Sequence, residues 1–186
     1  MDISFTHNER PTVGVELELH LVDRATGELV SAAGELLAEL GAEFPDGEHP
    51  KAKHELFQST IEIITDVCHG PAEAGSDLAT TLAALRAAAE RRDIVPISSG
   101  THPFGRPADQ HISPSPRYHE LIEAMQWPAR RLLICGMHVH VGITDGHRAI
   151  AIINELRRHL PLVLALSASS PFFEGEDSGL ASARSK

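Results

Sequence analysis

The stretch GVELELHLV, residues 14–22, alternates strictly between apolar and polar side chains. Read as a β-strand, it places Val15, Leu17, Leu19 and Leu21 on one face and Glu16, Glu18 and His20 on the other. Two carboxylates on adjacent positions of one face repel each other. Either that face is wetted by solvent, where Glu costs little, or something positive sits between them.

Two later segments repeat the pattern. In STIEI, Glu62 shares a polar side with Gln58 and Thr60, away from Ile61 and Ile63. In GMHVHVG, His138 and His140 share one face, and Met137, Val139 and Val141 share the other. If the three strands lie in one curved sheet, its concave side gathers Glu16, Glu18, Glu62 and one or two histidines. Mutual repulsion raises the pKa of such carboxylates unless cations hold them ionised. An oxygen-rich set with a minor imidazole share suits Mg²⁺ or Mn²⁺ better than Zn²⁺. Glu55 lies seven residues before Glu62, on the opposite parity, and reaches the same face only if the chain bulges or turns near Gln58–Ser59.

The remaining segments frame these strands. DRATGE reads as a turn followed by a short strand at ELV, and AGELLAELG as a helix ending at Gly41. Residues 53–67 read as continuously extended, with β-branched residues toward the end. SDLATTLAALRAAAERRD reads as a helix capped by Ser76, with Leu78, Leu82 and Leu85 as its core stripe. IVPISS is a short strand, and residues 100–116 form a Gly/Pro-rich loop long enough to suggest a binding role. Residues 117–127 read as helical up to Pro128. ICGMHVHVGI is a strand, DGHRAIAIINELRRHL a helix capped by Asp145, and PLVLALSA a further short helix; the rest reads as loop. Strands come early and helices separate the later ones, which is an α+β pattern with a largely antiparallel sheet.

Composition sets the outer bounds. The 186 residues suit a single domain, 1–186, with a real core. A formal charge of −10 argues against broad contact with nucleic acid or an anionic membrane, though a metal ion can still bring a nucleotide in. Cys68 and Cys135 have no framework or metal spacing and read as small buried residues in a reducing compartment. No signal peptide and no bilayer-length apolar run is seen, so a soluble cytoplasmic protein is expected. Of the other, scattered histidines, a group that includes His102, most read as surface residues. Arg130 and Arg131 read as a helix-end complement or a phosphate grip.

GVELELHLVDRATGELV, ELFQSTIEIITDVC, GTHPFGRPADQHISPSPRY, QWPARRLLICGMHVHVGI and LALSASSPFFEGEDSGLASARS together resemble, in order, the carboxylate–amine ligases of the second glutamate–cysteine ligase family. GMHVHV also resembles a signature of glutamine synthetase, whose fold that family shares. The resemblance implies an antiparallel sheet curved into half a barrel, with helices on its outer face and divalent cations, ATP and an amino acid on its concave face. It makes Glu16 and Glu18 one metal-binding pair, Glu55 and Glu62 a second acidic pair, and His138 a metal ligand. Glu62 and His138 are the expected catalytic positions. His140 is an expected contact to the ATP phosphates, and Arg184 matches an arginine that receives carboxylate or phosphate. The implied reaction joins glutamate to an amine such as cysteine through an acyl phosphate, with Mg²⁺ or Mn²⁺ and release of ADP and phosphate.

Many relatives read GVEEEF where this chain reads GVELEL, which leaves the paired positions intact. The resemblance covers the N-terminal half of a typical member, so the domain is expected to be incomplete. A complementing C-terminal half or a homo-oligomer is then the expected partner. Two other readings stand beside the ligase: a metal-dependent hydrolase built on His138-x-His140, which favours Zn²⁺ or Fe²⁺ and needs more histidines, and a non-catalytic fragment whose open sheet edge a partner covers.

Overall fold

The computed structural model describes Phe5 and residues 7–185. Strand β1 (Thr12–Asp23) is the spine of the sheet. On one side it pairs with β3 (Thr60–Ile64), which pairs in turn with β2 (Ala52–His54). On its other side β1 pairs with two strands in succession. Its first half pairs with β5 (Met137–Gly142) and its last four residues with β4 (Ile94–Ile97). Every pairing is antiparallel and the sheet is open, so the expected α+β class with a mainly antiparallel sheet holds.

The apolar face of this sheet is covered by two helices, α1 (Ala33–Gly41) and α2 (Pro71–Glu90). Leu19 and Leu21 from β1 and Ile61 and Ile63 from β3 meet Leu36 of α1 and Leu85, Ala88 and Ala89 of α2 in one buried cluster. Alternation on the strands and helical spacing on α2 therefore converge on one core, and Leu78 and Leu82 pack at its margin as the stripe predicts. A smaller cluster joins Leu56, Phe57 and Leu133 to Tyr118 of α3 (Pro116–Met125). Helices α4 (Gly146–Leu156) and α5 (Leu160–Ser167) follow β5 and contribute no buried residue. Asp145 caps α4 as expected, its carboxylate accepting the Arg148 amide at 2.8 Å.

Four local expectations are corrected. Residues 53–67 are not one extended run: β2 and β3 form a hairpin around residues 55–59. Buried Phe57 anchors that turn, with the Gln58 amide donating to His111 and the Thr60 amide to Phe57. Ser76 lies inside α2 and does not cap it. The helix starts at Pro71, whose missing N–H suits a first turn, and the Ser76 hydroxyl donates back to the Ala72 carbonyl. The segment ELV makes only one bridge, Leu29 to Val22. The tail contains a small hairpin, β6 (Phe172–Phe173) with β7 (Glu176–Asp177), beneath which Arg131 pairs with Glu174 and lies over Trp127 and Phe173.

Candidate functional site

Register builds the site. Across the β1–β3 ladder Glu18 stands directly opposite Glu62. Across the β1–β5 ladder Glu16 stands opposite His138, and Gly14 opposite His140. The β2–β3 hairpin swings Glu55 in from the side, which meets the condition its parity set. Directly opposed carboxylates destabilise a sheet, so this face is assembled against local electrostatics.

Glu16, Glu62 and His138 each offer a ligand atom within 4.8 Å of the others, and so do Glu18, Glu55 and Glu62. Glu62 belongs to both sets. The donors are four carboxylates and one imidazole, which fits a pair of hard divalent cations and not a histidine-rich zinc site.

The protonation pattern follows from the same packing. Partial burial, reinforced by Glu16, Glu55 and Glu18, pushes the Glu62 carboxyl up to about 7. Burial also raises Glu18, although the Gly136 amide donates to its Oε2 at 2.7 Å and draws the value back. Glu16 goes the other way. Its burial is outweighed by His140 and His138, whose ring nitrogens lie 3.2 Å from its two oxygens, and it is held below the usual carboxylate range. The face thus carries one carboxylate fixed as an anion beside one that keeps its proton near neutrality.

Arg184 lines a cleft with Glu18 and His138. Its Nε donates to the Cys135 carbonyl at 2.8 Å. A Cβ added at Gly136 would lie 2.7 Å from the guanidinium, and one at Gly100 would lie 3.1 Å from the Arg184 side chain. The arginine therefore occupies a slot that two glycines leave open. Glu16, Glu18, Glu55, Glu62, His138, His140 and Arg184 all border the polar face or the clefts beside it.

The sequence reading missed Lys53, Ser115, Arg117 and Tyr118, which line a cleft with Glu16, Glu55 and Glu62. Lys53 stands opposite Glu62, a relation only the hairpin register reveals. Tyr118 donates to the His54 carbonyl at 2.7 Å, and burial pushes its phenol up to about 12, so it is neutral at physiological pH. His20 shares the strand face of Glu16 and Glu18 but is fully buried, with neither ring nitrogen hydrogen-bonded among the described residues. His102, one of the scattered histidines most of which were expected at the surface, is buried beside it at 5.9 Å between ring centroids. The buried placement of Cys68 and Cys135 agrees with expectation.

The model of the family described as glutamate–cysteine ligase family 2 matches residues 12–186. A provisionally named glutamate–cysteine ligase 2 of Thermobifida fusca (strain YX) is 51% identical over 185 residues, which is 100% of this chain and 46% of the relative. Another, from Gloeobacter violaceus, is 44% identical, with 100% of this chain matching 50% of the relative. The chain thus spans about half the length of the curated relatives it matches. Among solved structures, a glutamate–cysteine ligase of Francisella tularensis in complex with AMP superposes with a TM-score of 0.50 at 15% identity, covering 82% of this chain and 30% of that one. That likeness speaks to the fold. No helix among the described residues is long and apolar enough to cross a membrane.

Proposed function

The chain belongs to glutamate–cysteine ligase family 2, and from that membership we propose that it forms part of an ATP-dependent carboxylate–amine ligase acting in the cytoplasm. A carboxylate oxygen of glutamate attacks the γ-phosphorus of ATP, and the bond to ADP breaks. An amine nitrogen, that of cysteine first, then attacks the acyl phosphate, and phosphate leaves as the amine loses a proton.

The observation that carries this reading is the pair of ligand sets sharing Glu62. We assign Glu16, Glu62 and His138 to one Mg²⁺ or Mn²⁺ ion and Glu18, Glu55 and Glu62 to a second. Ions bound there would neutralise phosphate oxygens during phosphoryl transfer. The chain's own groups prepare the face. His138 and His140 keep Glu16 ionised, and the Gly136 amide fixes one oxygen of Glu18. Glu62 must release its proton before it can ligate, so the site loads better as pH rises through about 7. His140 and Arg184 are assigned to the phosphates, and Glu62 and His138 are the catalytic positions. The AMP carried by the Francisella ligase supports a nucleotide as the co-substrate. Neither ligand set holds more than one imidazole, which weighs against the hydrolase reading.

Turnover is assigned to a unit larger than this chain. The uncovered apolar side chains of β5, α4 and α5 face where a further polypeptide would pack, and the relatives are twice as long. We assign that cover to a polypeptide equivalent to the relatives' other half.

The test begins with Mn²⁺. At about one hundred times its Kd, Mn²⁺ should stabilise the folded chain by about 2.7 kcal/mol, and Glu16→Gln or Glu18→Gln should abolish most of that gain. Stabilisation by Zn²⁺ alone, unaffected by either substitution, would transfer the site to hydrolase chemistry. With the complementing half present, ATP, Mg²⁺ and glutamate, hydroxylamine should trap a hydroxamate with release of ADP. Release of AMP and pyrophosphate would overturn the acyl phosphate.

A further inference from the structure

Of the four carboxylates in the two ligand sets, only Glu55 lies outside a strand. Glu16 and Glu18 lie on β1 and Glu62 on β3, and ladder pairing sets their directions. β2 ends at His54, so Glu55 opens the turn of the β2–β3 hairpin and no ladder aims it.

That turn is held along its whole length by another segment, residues 111–118. The Tyr118 hydroxyl donates to the His54 carbonyl at 2.7 Å, and the Ser113 hydroxyl donates to the Glu55 carbonyl. The Ser113 amide donates to the Leu56 carbonyl at 2.9 Å. Phe57 forms a bridge with Ile112. Gln58 donates its backbone amide to the His111 carbonyl at 2.8 Å and its side-chain amide to the Ile112 carbonyl at 2.9 Å. Ser113 is fully buried, and Pro114 and Pro116 restrict the backbone just after it.

Three successive carbonyls caught by one segment fix the carboxylate between them. A peptide unit is planar, so a residue has only two soft dihedrals, one toward each flanking unit. Tyr118 holds the unit before the Glu55 Cα, and Ser113 holds the unit after it. Both dihedrals are thereby set, and with them the direction in which the Glu55 side chain leaves the backbone. The unit that Ser113 holds also carries the Leu56 amide, and that amide donates to Oε2 of Glu55 itself. Accepting a hydrogen bond at its carbonyl makes a peptide unit a stronger donor at its N–H. The Ser113 hydroxyl thus acts on the Glu55 carboxylate through one peptide unit.

Resting on the metal assignment above, we propose that Ser113 is a positioning residue for the ion assigned to Glu18, Glu55 and Glu62, with Tyr118 as its second anchor. The Gly/Pro-rich loop 100–116 then serves the site from behind: its end aims a metal-binding carboxylate. Removing the Ser113 hydroxyl lets the peptide unit rotate and takes the Glu55 carboxylate with it.

Mn²⁺ bound per chain, counted by paramagnetic resonance, supplies the test. Wild type should take up two ions and Glu55→Gln one. Ser113→Ala should weaken the ion lost in Glu55→Gln about ten-fold or more, the scale of groups that orient metal ligands, and leave the other unchanged. Tyr118→Phe should weaken the same ion by a smaller factor. Adding Ser113→Ala to Glu55→Gln should not alter the affinity of the remaining ion, because Ser113 acts through Glu55. A merely structural hydroxyl would weaken both ions alike, or would weaken Mn²⁺ by the same factor in the two backgrounds; either result overturns the proposal. So does a folded Ser113→Ala chain that keeps both ions at wild-type affinity. If Ser113→Ala does not fold, Tyr118→Phe decides by the same criteria. Wild type with no bound Mn²⁺, or Glu55→Gln with two ions, would instead remove the metal assignment itself and this proposal along with it.

Discussion

The two ends of β1 sit in opposite surroundings. From Leu19 to Val22 the strand is buried, flanked by β3 and β4 and roofed by α1 and α2. From Thr12 to Glu18 it is only half-buried, and its neighbour there, β5, leaves Met137, Val139 and Val141 more than half exposed. Helices α4 and α5 carry Ile150, Ile153, Leu156, Leu160 and Leu166 into the open, the last at 78% exposure. An apolar surface of this extent exceeds the scattered exposed side chains of ordinary globular proteins. One part of the molecule is thus covered by its own sequence, while the part that borders the carboxylate face leaves its apolar side chains open.

Substitutions in the two regions should separate sharply. Leu36→Ala and Ile61→Ala, at fully buried positions of the roofed region, should each cost about 2–5 kcal/mol in urea unfolding. Near-zero losses there would erase the distinction.

Histidines sharpen the same contrast. Burial, with His102 beside it, depresses His20 to about 4, whereas an unfolded histidine takes its proton near 6.5. Between those values the unfolded chain binds the extra proton, so stability falls as pH drops from about 6.5 to about 4, by up to about 3 kcal/mol. In His20→Leu that slope should flatten, whereas in His140→Leu, at the exposed end, it should persist. Parallel pH profiles for wild type and His20→Leu would show that His20 is solvated.

Glu62 lies where the regions meet. Its folded carboxyl keeps the proton to about 7, whereas an ordinary glutamate loses it near 4.5, so its contribution to stability is lost as pH rises through that window. At pH 8 without metal, Glu62→Gln should therefore melt higher, by about 1 kcal/mol, the scale of relieved cross-strand repulsion. With Mn²⁺ the order should invert. A metal-free Glu62→Gln that is less stable than wild type would show that the repulsion is screened.

The smallest expected effect belongs to the open region. Leu164→Ala should change the stability of the isolated chain by less than about 0.5 kcal/mol. A loss comparable to that of Leu36→Ala would show that α5 is already covered in solution, as in a dimer of this chain. With the complementing half added, the same substitution should become costly.

The strands were legible wherever side-chain alternation or helical spacing was strong. GVELEL, STIEI and MHVHV declared their faces, the stripe Leu78, Leu82, Leu85 declared α2, and Asp145 declared its cap. Ser76 misled because a capping residue type is also tolerated inside a helix, and Pro71 five residues earlier was the real start. The run 53–67 misled because β-branched composition does not reveal a turn fixed by distant partners, here His111 and Ile112. Arg117 and Lys53 carried no local mark at all.

The sequence by itself determined which side chains of each strand share a face, since a period of two is a property of the local chain. It also determined the family, through motifs in order along residues 12–186. Only the tertiary structure decided which of those faces touch. Glu18 meets Glu62 and Glu16 meets His138 through ladder register, a one-residue slip of which would scatter the cluster. Burial was likewise decided there: His20 and Glu16 belong to one polar stripe, yet one is sealed beneath the loop carrying His102 and the other borders two histidines and a cleft. Local alternation orients a side chain; only the packing of distant segments sets its solvent, its charge and its partners.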